Sequence, residues 1–488
     1  MKKPESPVME AKYDLSALPE IKLTEIIDKV LRDRTNDPIV IPSQAKDLAA
    51  MLPDKLPAAR TPIKEVLERL NNLLSNYCRR TTHPGFFGYI ASGGLPVDPL
   101  SHALVAALNQ NVVGYPGSPA AATIEQTVIK WLCEYAGYPE QAEGVFLSGG
   151  SIANLTALSV AIASCVGSDI RRVGLAQACD GKRPVILCST ATHFSIQRAA
   201  AMLGVGTNNV ICVETDDCNR VRMDRLEEQF KYDHTVLCVV ASAGSTTTGA
   251  VDPLADIADL CSAHSTWLHV DAAYGGGVLL CPELRHLFDG IDRADSISMD
   301  LHKWFFNAID SSVLLYRNPS AARELFYEHS DYILFPADGP PEQHMFFHLG
   351  PELSRRFRAL PAFIAFCHYG AEAMGRNIFH NVECARYLAE LVDYDDNLEI
   401  VAMPQLSIVN FRYTDKSLSV GQIDLVNEKI REEVEKQGQF LMSATRLHGR
   451  PVLRVCIVNH ATRSTHIEGL IDTVLELGQK FAKALHLQ

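Results

Sequence analysis

The sequence predicts an α/β protein with a parallel sheet covered by helices on both faces, followed by a smaller α+β unit. From about residue 96, continuous apolar runs such as residues 235–241 alternate with helix-like segments. Strands that are apolar along their whole length are typical of parallel sheets buried on both faces. After about residue 371 the pattern changes to two strands and two amphipathic helices, which indicates a separate unit.

The predicted elements follow in order along the chain. Residues 1–20 are polar and carry prolines, and helical apolar spacing follows at residues 23–31 and 63–74. The larger unit has strands at residues 145–147, 184–188, 235–241, 267–270 and 311–316, and helices after Ser148, at 195–203 and at 252–263. The smaller unit has strands at 406–411 and 452–458 and helices at 422–437 and 467–485. We therefore expect an N-terminal helical segment (1–95), a large domain (96–370) and a small domain (371–488).

Composition and charge exclude several classes of partner. The 488 residues are 47% hydrophobic and 21% charged, which is ordinary for a globular protein. The net charge of −13 argues against nucleic acid or an anionic membrane as the main partner. Thirteen scattered cysteines without a Cys-x-x-Cys pair indicate reduced thiols. No apolar run reaches membrane-spanning length and no secretory signal is visible, so we expect a cytoplasmic location.

An aspartate and a lysine, 32 positions apart, are the two residue types that one cofactor requires together. Asp271 ends the apolar run of residues 267–270, and Lys303 follows 32 positions later among apolar neighbours. Pyridoxal phosphate (PLP) requires a lysine amine for a Schiff base and a carboxylate against its ring nitrogen. Either residue alone is more often structural, as a surface lysine or a turn aspartate. Together they indicate PLP chemistry, and we expect burial to lower the pKa of Lys303.

Other predicted strand ends carry polar residues or glycines. The segment 148–151 (Ser-Gly-Gly-Ser) opens a helix, whose N-terminal amides favour a phosphate. His193 could stack on a ring or transfer a proton, although a lone histidine is usually structural. The hydroxyls of residues 245–248 could contact a cofactor or only make a polar turn. Asn154, one helical turn after the glycines, could support that turn or be exposed. No dinucleotide motif, P-loop or metal-ligand spacing occurs.

The chain resembles the group II PLP-dependent decarboxylases, the family of aromatic-amino-acid, glutamate and cysteine-sulfinate decarboxylases. The resemblance extends from about Leu23 to the C-terminus. Six motifs in the family's order carry it: His83-Pro84, Gly149-Gly150-Ser151, His193-Phe194-Ser195, Gly244-Ser245-Thr246, the run from His269 to Tyr274, and His302-Lys303-Trp304.

This resemblance implies a type I PLP fold (aspartate-aminotransferase-like) with a mostly parallel seven-stranded sheet. It also implies an obligate homodimer in which the segment 1–95 packs on the partner subunit. Lys303 is then expected to form the Schiff base, and Asp271 to pair with the ring nitrogen. His193 is expected to stack on the ring, with Ala273 on the opposite face. Further implied contacts are those to the phosphate (Gly150, Ser151, His302) and to the substrate (Tyr89, Ser92), and Thr246 is expected beside the cofactor. Tyr115 is a further candidate for the substrate pocket.

Two departures from the family's pattern bear on chemistry. Asp300-Leu301 replaces the Asn-Pro often seen before the His-Lys pair. In the aromatic branch, a loop tyrosine thought to protonate the α-carbon precedes an Arg-Arg-Phe-Arg stretch, here residues 355–358, and Phe346 stands at its place. Phenylalanine has no titratable proton. In related plant enzymes such a replacement accompanies oxidative conversion to an aldehyde, with carbon dioxide, ammonia and peroxide. His348 or Tyr332 could supply the proton instead, and Phe346 could simply be an apolar residue over the pocket.

The substrate class stays open between branches of the family. The segment 193–195 is more like the glutamate and cysteine-sulfinate branch, whereas residues 355–358 are more like the aromatic branch. Tyr89, Tyr115 and Phe87 favour an aromatic or bulky apolar substrate, and no arginine for an acidic substrate can be identified. We therefore expect an L-amino-acid decarboxylase for an aromatic or bulky apolar substrate. An aldehyde synthase and an acidic amino-acid decarboxylase are the alternatives. A non-catalytic relative is disfavoured by the intact Lys303, Asp271 and His193.

Overall fold

The larger part of the chain is built on a seven-stranded sheet. The computed structural model describes residues 37–167, 169–179, 181–328 and 345–487. The helix predicted at residues 23–31, and Tyr332, lie outside these residues. The strands of the large sheet are β2 (Glu143–Leu147), β3 (Pro184–Ser189), β4 (Val210–Val213), β5 (Thr235–Ser242), β6 (Trp267–Asp271), β7 (Ser296–Asp300) and β8 (Ser312–Tyr316).

The strand order in this sheet is β2-β8-β7-β6-β5-β3-β4. Only β8 runs against its neighbours on both sides, and the other described pairings are parallel. The expected α/β fold with a mostly parallel seven-stranded sheet is therefore confirmed. The register places Ser242, Asp271 and Ser298 side by side at the carboxyl edge of β5, β6 and β7. In open α/β sheets this edge is where ligands bind.

Helices cover the sheet and complete the chain. Among the described residues, the α-helices are α1 (Ala45–Ala50), α2 (Ile63–Tyr77), α3 (Asp98–Leu108), α4 (Pro119–Ala136), α5 (Gly150–Val166), α6 (Ile170–Val173), α7 (Leu175–Ala178), α8 (Ser195–Met202), α9 (Met223–Gln229), α10 (Leu254–Ala263), α11 (Ser320–Phe326), α12 (Ala359–Tyr369), α13 (Ala371–Tyr394), α14 (Val420–Gln437) and α15 (Ser464–His486). In this part of the chain no helix is long and apolar enough to cross a bilayer.

The C-terminal part has its own five-stranded sheet and its own core. Its strands are β9 (Leu398–Ala402), β10 (Ile408–Tyr413), β11 (Leu441–Leu447) and β12 (Arg450–Cys456), joined by β1 (Phe86–Phe87) from the N-terminal segment. The order is β1-β11-β12-β10-β9, with β1 parallel to β11 and the other pairs antiparallel. Part of the segment 1–95 thus pairs within its own chain, while its packing on a partner stays a prediction.

Several strands escaped prediction for identifiable reasons. β7 has the sequence Ser-Ile-Ser-Met-Asp, whose polar positions favour a loop. All five residues are nevertheless buried, because the hydroxyls of Ser296 and Ser298 have hydrogen-bond partners inside the protein. β4 is a short edge strand of four residues, and β1 has only two.

Candidate active site

A cavity at the carboxyl edge of the large sheet brings together eight residues predicted for the cofactor site. It has a volume of about 420 Å³. Its lining includes all eight: Gly150, Ser151, His193, Thr246, Asp271, Ala273, His302 and Lys303. Asn154, Asp300 and Ile309 also line it. Residues from five separate stretches of the chain therefore meet at one cavity, as the strand-end pattern predicted.

Asp271 is buried at the end of β6 and is held by donors on both carboxylate oxygens. Asn154 Nδ2 donates to Asp271 Oδ2 at 2.8 Å, and the backbone amide of Ala273 donates to Oδ1 at 3.0 Å. The hydroxyl of Ser298 lies 3.4 Å from Oδ1. Donors of this kind stabilise the ionised form of a carboxyl group. The side chain can therefore present negative charge to a protonated ring nitrogen.

The amide of Asn154 also fixes the protonation of His269 behind the cavity. Asn154 Oδ1 accepts from Ser298 Oγ at 2.8 Å and from His269 Nε2 at 3.0 Å. Nε2 must therefore carry a hydrogen, and Nδ1 can accept from Ser296 Oγ at 2.9 Å. Complete burial lowers the pKa of His269 to about 4, so the ring is neutral at neutral pH. The buried network is satisfied without a second charge beside Asp271.

A second branch of the network sets the tautomer of His193. Asn154 Nδ2 lies 3.0 Å from Ser195 Oγ, which therefore accepts a hydrogen bond and can donate its own proton to His193 Nδ1 at 2.8 Å. The backbone amide of Ser195 also donates to Nδ1, at 3.3 Å. Burial lowers the pKa of His193, which favours the neutral ring. A neutral His193 with Nδ1 as acceptor carries its hydrogen on Nε2.

Lys303 is paired with a carboxylate that belongs to the same turn. Its Nζ lies 2.9 Å from Asp300 Oδ2. Burial acts to lower the pKa of Lys303, but the charge of Asp300 outweighs it and the pKa is raised above its usual value. The expectation of a lowered lysine pKa is therefore wrong, because no sequence pattern indicates that Asp300 faces the amine. His302 Nδ1 donates to the carbonyl of Ser311 at 2.8 Å.

The start of α5 borders the cavity and fits an anionic group. No described side chain caps the helix at Gly149, so its first amides are open to a ligand. A Cβ added to Gly150 would lie 2.8 Å from Asp300 Oδ2 and 3.2 Å from the Cβ of Ala273. Only glycine leaves this space free. An amine, a hydrogen-bonded carboxylate and an uncapped helix N-terminus around one cavity fit the aldehyde, ring nitrogen and phosphate of PLP.

Arg454 is a buried cation that the sequence did not identify as a site residue. It lies on β12 between Ser443 and Asn410 in register, and the side-chain amide of Asn410 donates to the carbonyl of Thr247 at 3.0 Å. This face of the small sheet therefore looks toward the loop that carries Thr246. The charge of Arg454 acts to lower the pKa of Lys303. Its buried Nε and Nη2 have no hydrogen-bond partner among the described residues.

The predicted substrate-pocket residues lie at or outside the cavity's edge. The hydroxyl of Ser92 donates to the carbonyl of His302 at 3.2 Å, which places it beside the site. Tyr89 is 56% exposed and its hydroxyl accepts from Arg79 at 2.7 Å. Tyr115 is 38% exposed. None of these three lines the cavity formed by the described residues.

Phe346 lies in the core of this chain and away from the cavity lining. It is 1% exposed, in a short 3₁₀ turn at Phe346–His348. The guanidinium of Arg355 stands 4.8 Å from the centre of its ring. Arg355 also forms a buried ion pair with Glu125. In this arrangement Phe346 packs as an apolar residue.

Sequence reasoning gave no definite site role to three residues that the structure places in or near the site: Asn154, Asp300 and Arg454. Asn154 is polar in an otherwise apolar stretch of α5, and that contrast was the available signal. Arg454 interrupts the apolar run of residues 451–456, which is unusual for an exposed charge. Asp300 is visible in the sequence as a departure from the family's pattern, but the sequence does not show that it pairs with Lys303.

Comparison with known proteins agrees with this geometry. Residues 43–414 match the family model described as the pyridoxal-dependent decarboxylase conserved domain. The chain is 33% identical over 434 residues to the aromatic-L-amino-acid decarboxylase of Bacillus atrophaeus, covering 88% of both proteins. It is 28% identical over 441 residues to the L-2,4-diaminobutyrate decarboxylase of Acinetobacter baumannii, covering 87% of this chain and 85% of that protein.

Solved structures agree with the sequence relatives. The crystal structure of mouse CSAD superimposes with a TM-score of 0.86 at 27% identity, covering 95% of this chain and 99% of that chain. The similarity therefore extends over nearly the whole chain and not only over the cofactor site.

Proposed function

Because the chain belongs to the pyridoxal-dependent decarboxylase family, we propose that it decarboxylates an L-amino acid with an aromatic or other bulky apolar side chain. The products are the corresponding amine and carbon dioxide. The observation that carries the proposal is the meeting of Lys303 and Asp271 at one cavity. The relative from Bacillus atrophaeus, which is an aromatic-L-amino-acid decarboxylase, supports the substrate class.

Four residues of the cavity have proposed roles that their contacts support. Bound PLP supplies an electron sink for the electron pair left when carbon dioxide departs. Lys303 would provide the amine that holds the cofactor, and Asp271 would pair with its ring nitrogen. His193 offers Nε2–H as a donor toward the cavity, since Nδ1 is occupied by Ser195. Gly150 and the following amides of α5 receive the phosphate.

Arg454 is proposed to hold the substrate's α-carboxylate. Two of its guanidinium nitrogens are buried without a partner among the described residues. Leaving a charged donor unpaired in the interior is costly, and a carboxylate is the natural partner for a guanidinium. Binding there would fix the orientation of the α-carbon, which decides which of its bonds breaks.

The lining of the cavity disfavours an acidic substrate side chain. Apart from Lys303, the lining residues of the described chain include no lysine or arginine. If Arg454 binds the α-carboxylate, a second carboxylate has no obvious cation there. Ile309, which is 72% exposed in the single chain, adds an apolar surface at the cavity edge. These features support the aromatic or apolar substrate over the acidic one.

The aldehyde synthase remains the second candidate because of Phe346. A phenylalanine at the loop tyrosine's place removes one source of the proton that the α-carbon needs. Its burial against Arg355 speaks for a packing role instead. We therefore rank simple decarboxylation first.

A homodimer is also proposed. Helix α3 exposes an apolar stripe at i, i+4 and i+8 spacing, formed by Leu100, Leu104 and Leu108. Such a continuous exposed stripe is typical of a surface covered by another chain. Light scattering should give the mass of two chains, and Leu104→Glu should shift it to one. A wild-type monomer that retains full activity would contradict this proposal.

One experiment separates the alternatives for the reaction. The purified protein, loaded with PLP, is offered a panel of aromatic, apolar, acidic and diamino L-amino acids while amine, aldehyde, peroxide and oxygen are followed. Amine without oxygen uptake supports the decarboxylase, and the best substrate gives the class. Aldehyde with stoichiometric peroxide supports the synthase. No product from any substrate would contradict both.

A further inference from the structure

Asp300 and Lys303 form an ion pair within a single tight turn. Asp300 is the last residue of β7, and the backbone amide of Lys303 donates to its carbonyl at 3.1 Å. The same turn brings the amine to 2.9 Å from Asp300 Oδ2. The other oxygen, Oδ1, accepts from Ser312 Oγ at 2.5 Å. With only 3% of its side chain exposed, Asp300 has little freedom to turn away from the amine.

We propose that Asp300 is a positioning residue for Lys303, which holds the free amine as an ammonium ion in the cavity. This inference rests on the proposed role of Lys303. The amine must lose this proton before its nitrogen can form a bond to the aldehyde carbon, with the aldehyde oxygen leaving as water. A carboxylate beside the amine stabilises the charged form. Asp300 thus sets the pH at which Lys303 becomes reactive. It also holds the amine in place whenever the lysine nitrogen is not bonded to an aldehyde.

Other charged or titratable groups near Lys303 come from four separate elements. The charge of Asp271, from β6, also raises the pKa of Lys303, but less than Asp300 does. The charge of Arg454, from the small sheet, lowers it. The charge of Lys303 acts to lower the pKa of His193, which lies before α8. His302 Nε2 lies 3.8 Å from Asp300 Oδ2. Asp300 is the carboxylate in direct contact with the amine, so its removal should have the largest effect.

The charge state of the pair supports this assignment. Burial acts to raise the pKa of Asp300, but Lys303 and His302 together hold it below its usual value. The pair is therefore a carboxylate and an ammonium, and not two neutral groups. Asp300 also borders Gly150, where the phosphate is proposed to bind, so a test must separate an effect on the amine from an effect on phosphate.

The test is the loading of cofactor-free protein with pyridoxal, which lacks the phosphate. The absorbance of the lysine-bound aldehyde gives the rate from about pH 7 to 12, a range that includes the ordinary lysine pKa of about 10.4 and values above it. Borohydride reduction with peptide mapping verifies Lys303 as the site. Asp300→Asn should move the midpoint of the rate–pH profile to lower pH. For every pH unit by which the midpoint falls, loading on the acidic side should become about tenfold faster. Asp300→Glu should restore part of the wild-type midpoint.

The matched control is Asp295→Asn, just before the opposite end of the same strand. Asp295 accepts from the backbone amide of Leu268 at 2.8 Å and does not line the cavity. Its variant should keep the wild-type midpoint. The proposal is overturned if Asp300→Asn keeps that midpoint too, if both variants move it alike, or if the midpoint moves with PLP but not with pyridoxal.

A measurement on the wild-type protein covers the case in which Asp300→Asn does not fold. Acetylation of the cofactor-free protein across pH, followed by mass spectrometry, gives a midpoint for Lys303 and for the exposed Lys55. Lys303 should have the higher midpoint, and each pH unit of difference should lower its relative labelling near neutral pH about tenfold once access is normalised at high pH. A midpoint below that of Lys55 would refute the ion pair. Neither readout depends on decarboxylation, so each can fail while the proposed reaction stands.

Discussion

Asn154 Nδ2 lies 2.8 Å from Asp271 Oδ2, and this hydrogen bond links the two branches of the polar network behind the cavity. The same amide contacts Ser195 on one side and His269 on the other. One side chain therefore supports the carboxylate for the ring nitrogen, the tautomer of His269 and, through Ser195, the tautomer of His193. Networks of this kind act as a unit, because each donor defines the role of the next acceptor.

Replacing Asn154 should therefore impair the reaction through Asp271, Ser195 and His269, the residues that it contacts. A hydrogen bond to a charged group is worth about 1.5–3 kcal/mol, which corresponds to about a 10- to 100-fold loss of kcat/KM for Asn154→Ala. The pH–rate profile should change as well, because Asp271 loses a direct donor and Ser195, the partner of His193, loses one too. Steady-state kinetics from pH 5.5 to 9 checks both.

Asn427→Ala provides the control for this prediction. Asn427 is equally buried, and its amide bonds to the backbone of Tyr413 at 2.8 and 2.9 Å in the small domain. Its replacement should lower stability but leave the pH profile in place. If Asn154→Ala behaved in the same way, Asn154 would be a packing residue only.

His269 should make the protein lose stability as the pH falls from about 6.5 toward 4. Its folded-state pKa of about 4 lies below the ordinary value of 6.5, since burial disfavours the charged ring while Asp271 opposes this only in part. The unfolded chain therefore binds the proton first, and the stabilisation present above pH 6.5 is lost on acidification. At pH 5 the loss amounts to about 2 kcal/mol.

Urea unfolding at pH 7 and pH 5 tests this loss. His269→Gln should be less stable at pH 7 but should show a smaller difference between the two pH values than the wild type. The exposed His264 supplies the control, because His264→Gln should retain the wild-type difference. An unchanged difference in His269→Gln would mean that other groups cause the acid sensitivity.

Replacing Arg454 should weaken the binding of the substrate but not the binding of the amine product. If its guanidinium binds the α-carboxylate, Arg454→Met should raise KM about 10- to 100-fold, the usual worth of a hydrogen bond to a charged group. The amine product lacks that carboxylate, so its inhibition constant should stay the same. The comparison is Arg412→Met, which removes a buried arginine whose Nη1 lies 3.5 Å from Glu399. A parallel rise in KM and in the product's inhibition constant would indicate a general distortion.

The fold and the eight predicted cofactor-site residues could be predicted from sequence patterns for a physical reason. Asp271 and Lys303 lie at strand ends, and a parallel sheet brings its carboxyl edges together whatever the details of packing. Arg454 could not be found in this way, because it belongs to the small sheet and its influence on Lys303 depends on how the two sheets are placed. Asp300 was visible as a departure, but its contact with Lys303 depends on the path of one turn.

The product should not depend on a hydroxyl at position 346. Phe346 packs beneath Arg355 in the core, so the hydroxyl of Phe346→Tyr would be buried in that contact, at a cost of about 1–3 kcal/mol if it finds no partner. We expect the ratio of amine to aldehyde and the oxygen uptake to match the wild type, while the melting temperature falls. Phe347→Tyr, one residue on and 8% exposed, should cost less stability. Product analysis with an oxygen electrode tests this expectation. A Phe346→Tyr enzyme that shifts from aldehyde to amine would contradict it and support the aldehyde synthase, because tyrosine has a titratable proton that phenylalanine lacks.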